Sequence, residues 1–491
     1  MVAVAAVITA ACSGDDGADR ATSSPAASRP PDTTIEPGGG AGAPPATAAF
    51  APEPLAWQHC GGGHECATLA VPLDHDDPGG AHLELALRRD PADDPDRRIG
   101  SLLINPGGPG ASGVDFVGFG FDPAITDRFD VVGFDPRGVG ASTALECGGA
   151  PVEAFLAVDS GPDSPAEQDE LEAAALAVAE DCGARDGELL AHVGTDDVVR
   201  DIDLIRRALG EEQISFMGFS YGTLLGVRYA EAFPGGARAI VLDGVVDPAH
   251  DFRAFLRGQT VAFEATMSDV FAACDDSPSC PAGGGEAAYD EVARRVESEP
   301  IDAGDTALGP SDLATAAIYV TYAPALWSSF YAAMADGLGG DGEALYDLAE
   351  GYRSFGGFTA YVAVECVDSA HPTGAAEYQA FAQELSAISP RFGAAIANEL
   401  LPCAFWPVPP AGQPASITAP GAPPILVIGN TGDAATPFVQ AQRVADNLES
   451  GALLTYEGQG HTSYGSSACV DDVVAAFLID VRVPDPGTIC R

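Results

Sequence analysis

The sequence of 491 residues predicts an α/β fold, a doubly wound and mostly parallel sheet with helices on both faces and a helical segment inserted into it. Short apolar runs with strand character alternate with stretches of helical periodicity. A G-x-S-x-G run stands between one such strand and one such helix. Between the runs that begin at residues 239 and 424, about 180 residues lack clear strands and are rich in helix formers and aromatics.

The G-x-S-x-G run occupies residues 218–222, and its central residue is Ser220. A short apolar strand is predicted at 213–217, and a helix at 223–233, which Pro234 closes. Strand, G-x-S-x-G, helix is the order of the nucleophile elbow in the α/β-hydrolase fold, where a tight, strained turn lifts the serine hydroxyl to the top of the sheet. A Gly-rich turn is the alternative for the run taken alone, and its surroundings favour the elbow.

The other elements follow from the same patterns. The folded part is expected to begin near Trp57, and an edge strand is predicted at 82–87. A helix is predicted at 196–209, with Gly210 as its C-cap. Buried strands are predicted, in chain order, at residues 100–104, 129–134, 239–242, 424–428 and 452–456.

Composition and element pattern divide the chain into five segments. Residues 13–53 consist mainly of Gly, Pro, Ala, Ser, Thr and Asp, the composition of a disordered tether. The stretch between the two halves of the sheet is predicted to be a helical lid inserted over the active site. The segments are a signal with a lipobox (1–12), the tether (13–53), the N-terminal part of the core (54–250), the lid (251–405) and the C-terminal part of the core (406–491).

The first twelve residues suggest an export signal. Residues 2–11 are apolar, and Thr9-Ala10-Ala11-Cys12 resembles a bacterial lipobox, in which Cys12 would become the lipidated first residue. The apolar stretch is short and no Lys or Arg precedes it, so an earlier start codon is an alternative. We expect a surface lipoprotein or a secreted bacterial protein, with membrane contact only through a lipid on Cys12.

Charge limits the partners. The chain has 72 acidic residues against 23 basic ones, a net charge of −49, and all the basic residues are arginine. Such a surface repels nucleic acids and anionic membranes, so a nucleic-acid partner is excluded. The absence of lysine reflects either codon bias in a GC-rich genome, the favoured interpretation, or adaptation to salt, which would screen the self-repulsion.

Cysteine use indicates the compartment. Cys12 stands apart, and the ten downstream cysteines invite pairs between neighbours in the sequence, although the sequence alone leaves the connectivity open. These pairs are Cys60–Cys66, Cys147–Cys182, Cys274–Cys280, Cys366–Cys403 and Cys469–Cys490. Disulfides in an exported protein are the favoured interpretation, and the absence of a C-x-x-C pair argues against a zinc site.

A serine nucleophile needs a base and an acid that orients the base, and in this fold they follow in the order Ser, Asp or Glu, His. Of eight histidines, His461 alone follows the last predicted strand in a loop of small residues, so it is the predicted base. Asp433 follows the strand at 424–428 and is the predicted acid. Asp243, one strand earlier, is its rival, because some hydrolases carry the acid there. The alternative role for Asp243 is that of a turn carboxylate.

An oxyanion formed by serine attack needs preorganised N–H donors. The amide of Tyr221, directly after the nucleophile, is the first predicted donor. The second is expected from the glycine-rich loop 106–110, near Gly108, for which a tight turn without function is the alternative. Residues 135–138, at the next strand end, are expected to support the site from behind.

Six motifs together resemble the tripeptidyl aminopeptidase branch of the α/β-hydrolases, exported or lipid-anchored actinobacterial serine exopeptidases related to prolyl iminopeptidases. In chain order they are NPGGPG, FDPRGVGAS, GFSYGT, LDGVVDP, GNTGDAATP and GQGHTSYG, and the resemblance covers about residues 55–491. It implies a triad of Ser220, Asp433 and His461 and the release of short peptides from a free N-terminus. The chain departs from the family pattern after the acid, where two alanines replace a common Asp-Pro pair.

An aminopeptidase must recognise a protonated α-amine, which requires a carboxylate near the cleft. The resemblance points to the segment 364–368, which offers Glu365 and Asp368. A bridge from Cys366 to Cys403 would hold this segment rigid. In so acidic a chain, a solvated surface carboxylate is the alternative for each of the two acids.

The predicted function is that of a serine hydrolase, an aminopeptidase that acts on peptide substrates through an acyl-enzyme, with no cofactor and no metal. The same triad would serve an esterase or amidase acting on small non-peptide substrates, since fold and triad do not determine the substrate. Two further alternatives are a non-catalytic, surface-anchored binding protein and an enzyme that transfers the acyl group to a nucleophile other than water. The intact triad candidates argue against the binding protein.

Overall fold

The computed structural model describes residues 50–491, so the predicted signal and most of the predicted tether lie outside the described residues. The described part of the chain contains a ten-stranded sheet and a two-stranded hairpin. The strands are β1 (Gln58–Gly61), β2 (His64–Pro72), β3 (His82–Asp90), β4 (Gly100–Asn105), β5 (Phe129–Phe134), β6 (Ile214–Phe219), β7 (Ala237–Asp243), β8 (Ile301–Ala303), β9 (Thr306–Leu308), β10 (Ile425–Gly432), β11 (Gly451–Gln459) and β12 (Ile489–Cys490).

The large sheet has the strand order β1-β2-β3-β5-β4-β6-β7-β10-β11-β12. From β5 to β12 along this order all neighbours are parallel, whereas β1, β2 and β3 pair in antiparallel fashion. The strand predicted at 82–87 exists as β3, but its placement at the edge is wrong, because β2 pairs with it from Pro72↔His82 to Glu65↔Arg89. The strands β1 and β2, which the sequence patterns did not reveal, form that edge instead.

Helices surround the sheet. Within residues 50–491 they are α1 (Gly113–Phe116), α2 (Pro123–Thr126), α3 (Ala150–Ala157), α4 (Pro165–Asp186), α5 (Thr195–Ala208), α6 (Tyr221–Ala232), α7 (Phe252–Cys274), α8 (Gly285–Ser298), α9 (Pro310–Thr321), α10 (Trp327–Gly339), α11 (Glu343–Gly356), α12 (Phe358–Asp368), α13 (Ala375–Ser386), α14 (Gly393–Asn398), α15 (Phe438–Asn447) and α16 (Ala468–Asp480). The fold is the doubly wound α/β-hydrolase fold that the sequence predicted.

The central strands are buried on both faces, as parallel strands covered by helices must be. In β6, Phe216 belongs to the apolar core that includes α5 and α6, whereas the next residue, Met217, belongs to the core that includes α2 and α16. Every residue of β5 and β6 is buried. Each large apolar side chain so buried contributes about 1.5–3 kcal/mol. This burial holds the strands, and therefore the loops at their ends, in place.

The segment predicted to be a helical lid lies between β7 and β10. It contains the helices α7 to α14 and the hairpin of β8 and β9. The sequence did not predict the hairpin, because strands of three residues are too short for a readable alternation. In the described part of the chain, no helix is long and apolar enough to cross a membrane.

Five disulfides join the ten cysteines downstream of Cys12, in the pairs that neighbouring positions in the sequence suggested. The paired cysteines are separated by 6 to 37 residues, so each bridge closes a local loop. The bridge Cys366–Cys403 joins α12 to the turn that follows α14. Cys12 itself lies outside the described residues.

Candidate active site

Ser220 occupies a sharp turn between β6 and α6. β6 ends at Phe219 and α6 begins at Tyr221, so Ser220 alone makes the turn. Its φ of 52° and ψ of −125° lie where residues other than glycine are rare. Its backbone N–H donates to the carbonyl of Asp243 at 3.0 Å, which ties the turn to the end of β7. The result is the geometry of a nucleophile elbow, with Ser220 half-buried at the positive end of a helix.

Two glycines allow the elbow to touch the loop that follows β4. A Cβ on Gly222 would lie 2.6 Å from the carbonyl oxygen of Asn105, the last residue of β4. A Cβ on Gly107 would lie 3.0 Å from the Cβ of Ser220 and 3.1 Å from the amide nitrogen of Tyr221. A side chain at either position would push the two loops apart, so the close approach accounts for both glycines.

The predicted oxyanion donors lie at this contact. The amide of Tyr221 opens α6 directly after the nucleophile, where the helix dipole favours a negative charge. The glycine-rich loop approaches that amide through Gly107, whose own N–H donates to Oδ1 of Asn105 at 3.0 Å. Gly108 follows with a φ of 105°, in the left-handed region. The loop and the Tyr221 amide are therefore neighbours, and donation by Gly108 to an oxyanion stays a prediction.

His461 and Asp433 meet beyond the ends of β11 and β10. Nδ1 of His461 lies 2.9 Å from Oδ2 and 3.0 Å from Oδ1 of Asp433. Thr436 donates to the same carboxylate through its backbone N–H and its hydroxyl, each at 2.9 Å. The side chain of Asp433 is fully buried and that of His461 is 11 % exposed. A carboxylate that accepts the N–H of Nδ1 leaves Nε2 as the basic nitrogen.

The surroundings of His461 raise its pKa above the ordinary value. Burial lowers the pKa, but the charge and the hydrogen bond of Asp433 outweigh burial, and the charge of Asp243 adds to them. The backbone N–H of His461 donates to the backbone carbonyl of Tyr322 at 2.8 Å. The imidazole and the Tyr322 ring meet edge-on, with their centres 5.1 Å apart. The inserted segment therefore contributes Tyr322, which follows α9, to the setting of the base.

Asp243, the rival acid, has a different position. It is fully buried at the end of β7, and its Oδ2 accepts the N–H groups of Ser463 at 2.9 Å and Tyr464 at 2.8 Å. It therefore contacts the turn that follows His461, whereas Asp433 contacts the imidazole itself. Of the two carboxylates, the geometry favours Asp433 as the acid that orients the base.

The two carboxylates predicted to hold a substrate amine both lie on α12, but their contacts differ. Asp368 accepts both the N–H of Thr195, at 2.8 Å, and its hydroxyl. The same hydroxyl lies 2.7 Å from that of Tyr221, so Asp368 is engaged in joining α12 to α5 and α6. Glu365 is half-buried, as Asp368 is, and desolvation raises the pKa of its carboxyl to about 8.

A third carboxylate, Glu399, acts on Glu365, and no sequence pattern indicated it. Glu399 follows α14, and its Oε2 accepts the hydroxyl of Tyr361 on α12 at 3.1 Å. Burial raises the pKa of Glu399 to about 7. Besides burial, the charge of Asp368 and, to a smaller extent, that of Glu399 raise the pKa of Glu365. No motif marks position 399, since the neighbourhood arises only when α14 packs near α12. Two acids whose pKa values are raised together are typical of a functional site.

Tyr322 lies near both Glu399 and the base. Tyr322, which contacts His461, has its hydroxyl 3.5 Å from that of Tyr352. Burial raises the pKa of Tyr322, and the charges of Glu399 and Asp433 both raise it further. The carboxylate of Glu399, from the inserted segment, and that of Asp433, from the loop after β10, therefore both lie near Tyr322.

The predicted support from the loop after β5 consists of buried polar contacts. Arg137 is fully buried and pairs with Asp201 of α5 at 2.7 Å, and His75 lies 3.0 Å from the same carboxylate. Asp135 accepts the hydroxyl of Ser112, at the start of α1, at 2.7 Å. These contacts fasten the loop to α5 and α1, which is a structural role. Within residues 50–491, no group of three or more His, Cys, Asp or Glu residues could hold a metal ion.

Relatives in sequence are found along most of the chain. A family profile described as TAP-like protein matches residues 389–490. Serine protease Hip1 of Mycobacterium tuberculosis is 35% identical over 477 residues, which cover 89% of this chain and 91% of that protein. Carboxylesterase B of the same species is 36% identical over 453 residues, 87% of this chain and 86% of the relative. Tripeptidyl aminopeptidase of Streptomyces lividans is 32% identical over 458 residues, which cover 87% of this chain and 83% of that protein.

Two solved structures align over most of their own lengths. Proline iminopeptidase of Mycobacterium smegmatis aligns with a TM-score of 0.38 at 17% identity, over 84% of this chain and 98% of that one. A serine hydrolase from Cycloclasticus zankles aligns with a TM-score of 0.38 at 15% identity, over 85% of this chain and 99% of that one. Family membership is decided by the sequence relatives, which are 32 to 36% identical over most of both chains.

Proposed function

Because the chain belongs to the α/β-hydrolase family of the serine protease Hip1 and the tripeptidyl aminopeptidases and is a serine hydrolase, we propose that it is an exported aminopeptidase that releases short peptides, tripeptides or similar, from free N-termini. The observation that carries the proposal is the elbow serine, Ser220, together with the His461–Asp433 pair at neighbouring strand ends. The partly exposed Glu365, with Glu399 acting on it, supports recognition of an amine.

In the proposed mechanism, Nε2 of His461 takes the proton of the Ser220 hydroxyl while the oxygen attacks the carbonyl carbon of the scissile peptide bond. The amides of Tyr221 and Gly108 hold the oxyanion that forms. His461 then gives its proton to the leaving amine, the C–N bond breaks, and an acyl-enzyme remains. His461 next deprotonates a water that hydrolyses the ester and restores Ser220, while Asp433 keeps the imidazole oriented.

We assign recognition of the substrate α-amine to Glu365, with Glu399 as its partner, rather than to Asp368, which is engaged with Thr195. Burial makes an isolated negative charge at Glu365 unfavourable, as its raised pKa indicates. A bound ammonium group would offset that cost through a charge-assisted hydrogen bond, whereas an N-acyl group would not. The pair would therefore favour substrates with a free N-terminus.

The inserted segment, with the bounds 251–405, is proposed to act as a lid that shapes the acyl side of the site. It contributes Glu365, Glu399 and Tyr322, the last in contact with His461. A wall of side chains there would limit the length of peptide that fits before the scissile bond. Such a limit is what separates an exopeptidase from an endopeptidase.

Export is the remaining part of the proposal. The five disulfides within residues 50–491 are typical of proteins that fold in an oxidising compartment. The apolar N-terminus would supply a signal, Cys12 a lipid anchor and residues 13–53 a tether, all outside the described residues except the end of the tether. The proposed location is the bacterial surface or the medium, with peptides as the partners.

Hydrolysis of Ala-Pro-Ala-p-nitroanilide, with a free and with an acetylated N-terminus, tests the proposal. We expect the wild type to cleave only the free-amine substrate and Ser220→Ala to cleave neither. Glu365→Gln should raise KM for the free-amine substrate with little change in kcat, because the amine is held alike in the ground and transition states. Glu343→Gln, at an exposed position of α11, is the control and should match the wild type. Equal cleavage of both substrates by the wild type would refute recognition of the N-terminus.

The similarity to a carboxylesterase supports a second candidate function, hydrolysis of small esters or amides by the same triad. Short p-nitrophenyl esters are the substrates that test it. Turnover of these esters with no cleavage of peptide anilides would replace the aminopeptidase proposal. Labelling of Ser220 by a fluorophosphonate probe tests the serine chemistry common to both, and failure to label would favour a non-catalytic binding protein.

A further inference from the structure

Asp243 contacts both loops of the proposed reaction, although it is not a member of the triad. Its backbone carbonyl accepts the N–H of Ser220 at 3.0 Å. Its side chain reaches the other loop, where Oδ2 accepts the N–H groups of Ser463 and Tyr464 at 2.9 and 2.8 Å. One fully buried residue at the end of β7 therefore links the nucleophile turn to the turn that follows His461.

The turn after His461 needs support because its backbone is strained. Thr462 has a φ of 67°, which a β-branched residue rarely adopts. Its N–H donates to Oδ2 of Asp433 at 3.2 Å, and the next two N–H groups along the chain donate to Asp243. Three consecutive backbone donors are thus divided between two carboxylates. Loss of the Asp243 acceptor would allow the turn, and with it the imidazole, to relax.

The imidazole also packs on the residue that follows Asp243. Gly244 has a φ of 69°, and a Cβ there would lie 3.1 Å from Cε1 of His461 and 3.0 Å from Cγ2 of Thr462. The end of β7 therefore approaches the imidazole closely. The position of the ring depends on this contact as well as on its hydrogen bond to Asp433.

The charge of Asp243 acts on the base. Within the described residues, Oδ1 of Asp243 and Oγ of Ser463 are buried without a hydrogen-bond partner. Burial raises the pKa of Asp243 to about 6, the N–H groups of Tyr464 and Ser463 lower it, the nearby Asp433 raises it, and His461 lowers it. The two titratable groups that act on Asp243 are Asp433, in the loop after β10, and His461, in the loop after β11. Asp243 is therefore mostly ionised at neutral pH, close enough to raise the pKa of His461.

We propose that Asp243 is a positioning residue for His461 and a second source of negative charge for the imidazolium that forms during the reaction. It acts through two backbone hydrogen bonds to the turn and through its charge, without bonding the imidazole or touching the substrate. The inference rests on the proposed role of His461 as the base. It applies equally to peptide and ester substrates.

The variant Asp243→Asn separates charge from shape. Its amide oxygen can accept the same two N–H groups, so the turn is kept while the charge is lost. We expect the second-order rate of labelling of Ser220 by a fluorophosphonate to fall roughly three- to tenfold. The acidic limb of that rate should move to lower pH, because His461 loses a charge that raises its pKa. A wild-type rate with an unmoved limb would overturn the proposal.

A matched control is Asp186→Asn. Asp186 is also buried and accepts two backbone N–H groups, from Glu146 at 3.0 Å and Cys147 at 2.8 Å, but it contacts none of the triad loops. It should lower stability without moving the acidic limb. Absence of labelling in the wild type would refute the proposed function and this inference with it. Equal labelling of the wild type and Asp243→Asn would refute the inference alone.

The wild type itself provides a measurement that requires no variant to fold. If the charge of Asp243 contributes roughly three- to tenfold, protonation of Asp243 should add a step of that size to the fall of the labelling rate near pH 6, so that this part of the profile is steeper than the titration of one group. A profile that follows the titration of a single group throughout would overturn the charge contribution of Asp243.

Discussion

At the scale of single residues, the proposed reaction depends on one carboxylate whose two oxygens are both in use. Asp433 accepts the imidazole N–H of His461, two donors of Thr436 and the N–H of Thr462. These contacts decide which nitrogen of His461 carries the proton and keep Nε2 basic. A change that removes only the charge of Asp433 should therefore alter the base more than the fold.

Asp433→Asn should lower kcat on the order of 10³–10⁴-fold, because the amide favours the wrong tautomer and no longer stabilises the imidazolium. The acidic limb of the residual activity should move to lower pH, since the carboxylate is what raises the pKa of His461. Steady-state kinetics between about pH 5 and 9 measures both effects, with Ser220→Ala as the inactive reference. A variant that retained more than about a tenth of the wild-type kcat would return the role of the acid to Asp243.

The acidic pair of the inserted segment should produce a pH dependence of its own. The pKa of Glu365 is about 8 and that of Glu399 about 7, so the pair gains protons, and loses attraction for an ammonium group, as the pH falls through this range. Above about pH 8 the substrate amine loses its proton. Recognition of the amine should therefore be strongest between about pH 7 and 8.

The measurement is the ratio of kcat/KM for the free-amine peptide to the rate of fluorophosphonate labelling, in which the titration of His461 cancels. This ratio should peak between about pH 7 and 8. Glu365→Gln should flatten the peak. The same peak in the variant would contradict the assignment of Glu365 to the amine.

At the scale of elements, the proposed recognition site is built from helices that lie outside the sheet. Glu365 is on α12 and Glu399 follows α14, and the bridge Cys366–Cys403 joins these two regions close to both acids. The bridge therefore restricts how far the two carboxylates can separate. The triad loops depend instead on the ends of buried strands, so the two halves of the site should respond differently to loss of this bridge.

Replacing Cys366 and Cys403 by serine opens a loop in which the cysteines are 37 residues apart, and should cost about 2–4 kcal/mol of stability. Below the Tm of the variant, KM for the free-amine peptide should rise, while the fluorophosphonate labelling rate stays at the wild-type value. The control is replacement of Cys60 and Cys66 by serine. These cysteines form a bridge at the edge of the sheet, and its loss should leave KM unchanged. A labelling rate that fell with kcat/KM would mean that the bridge supports the triad instead.

At the scale of the whole molecule, the net charge of −49 is the dominant feature. Like charges at this density repel one another, and added salt weakens the repulsion because the Debye length falls from about 10 Å at 0.1 M to about 3 Å at 1 M. Some carboxylates are neutralised locally, as Asp130 and Glu211 are by Arg98. With 72 acids against 23 arginines, local pairing still leaves a large excess of negative charge.

The Tm at pH 7 should therefore rise as NaCl increases from about 0.05 M to about 2 M. Near pH 4.1, the isoelectric point, the same series should change the Tm much less, which separates screening of charge from general salt effects. Calorimetry measures both series. A Tm that stays level or falls with salt at pH 7 would favour codon bias over salt adaptation as the reason for the missing lysine.

Local patterns sufficed where chemistry lies at strand ends. Ser220, Asp433 and His461 each follow a short apolar run, and parallel strands bring their carboxyl ends to one edge of the sheet, so chain order alone placed the three residues at that edge and predicted the pair of His461 and Asp433. The disulfide pairs were readable for a similar reason, because each joins cysteines that are neighbours in the sequence.

Packing decided what periodicity and order could not express. The choice between Asp433 and Asp243 depended on which carboxylate reaches the imidazole, a difference of a few ångströms between adjacent strand ends. The contact of Glu399 with α12 arises only through the packing of α14 near that helix, and the hydrogen bonds of Asp368 to Thr195 likewise become visible only in three dimensions. Strand ends in a parallel sheet share a common register, whereas helices packed on one another do not, so their side-chain neighbours emerge only in three dimensions.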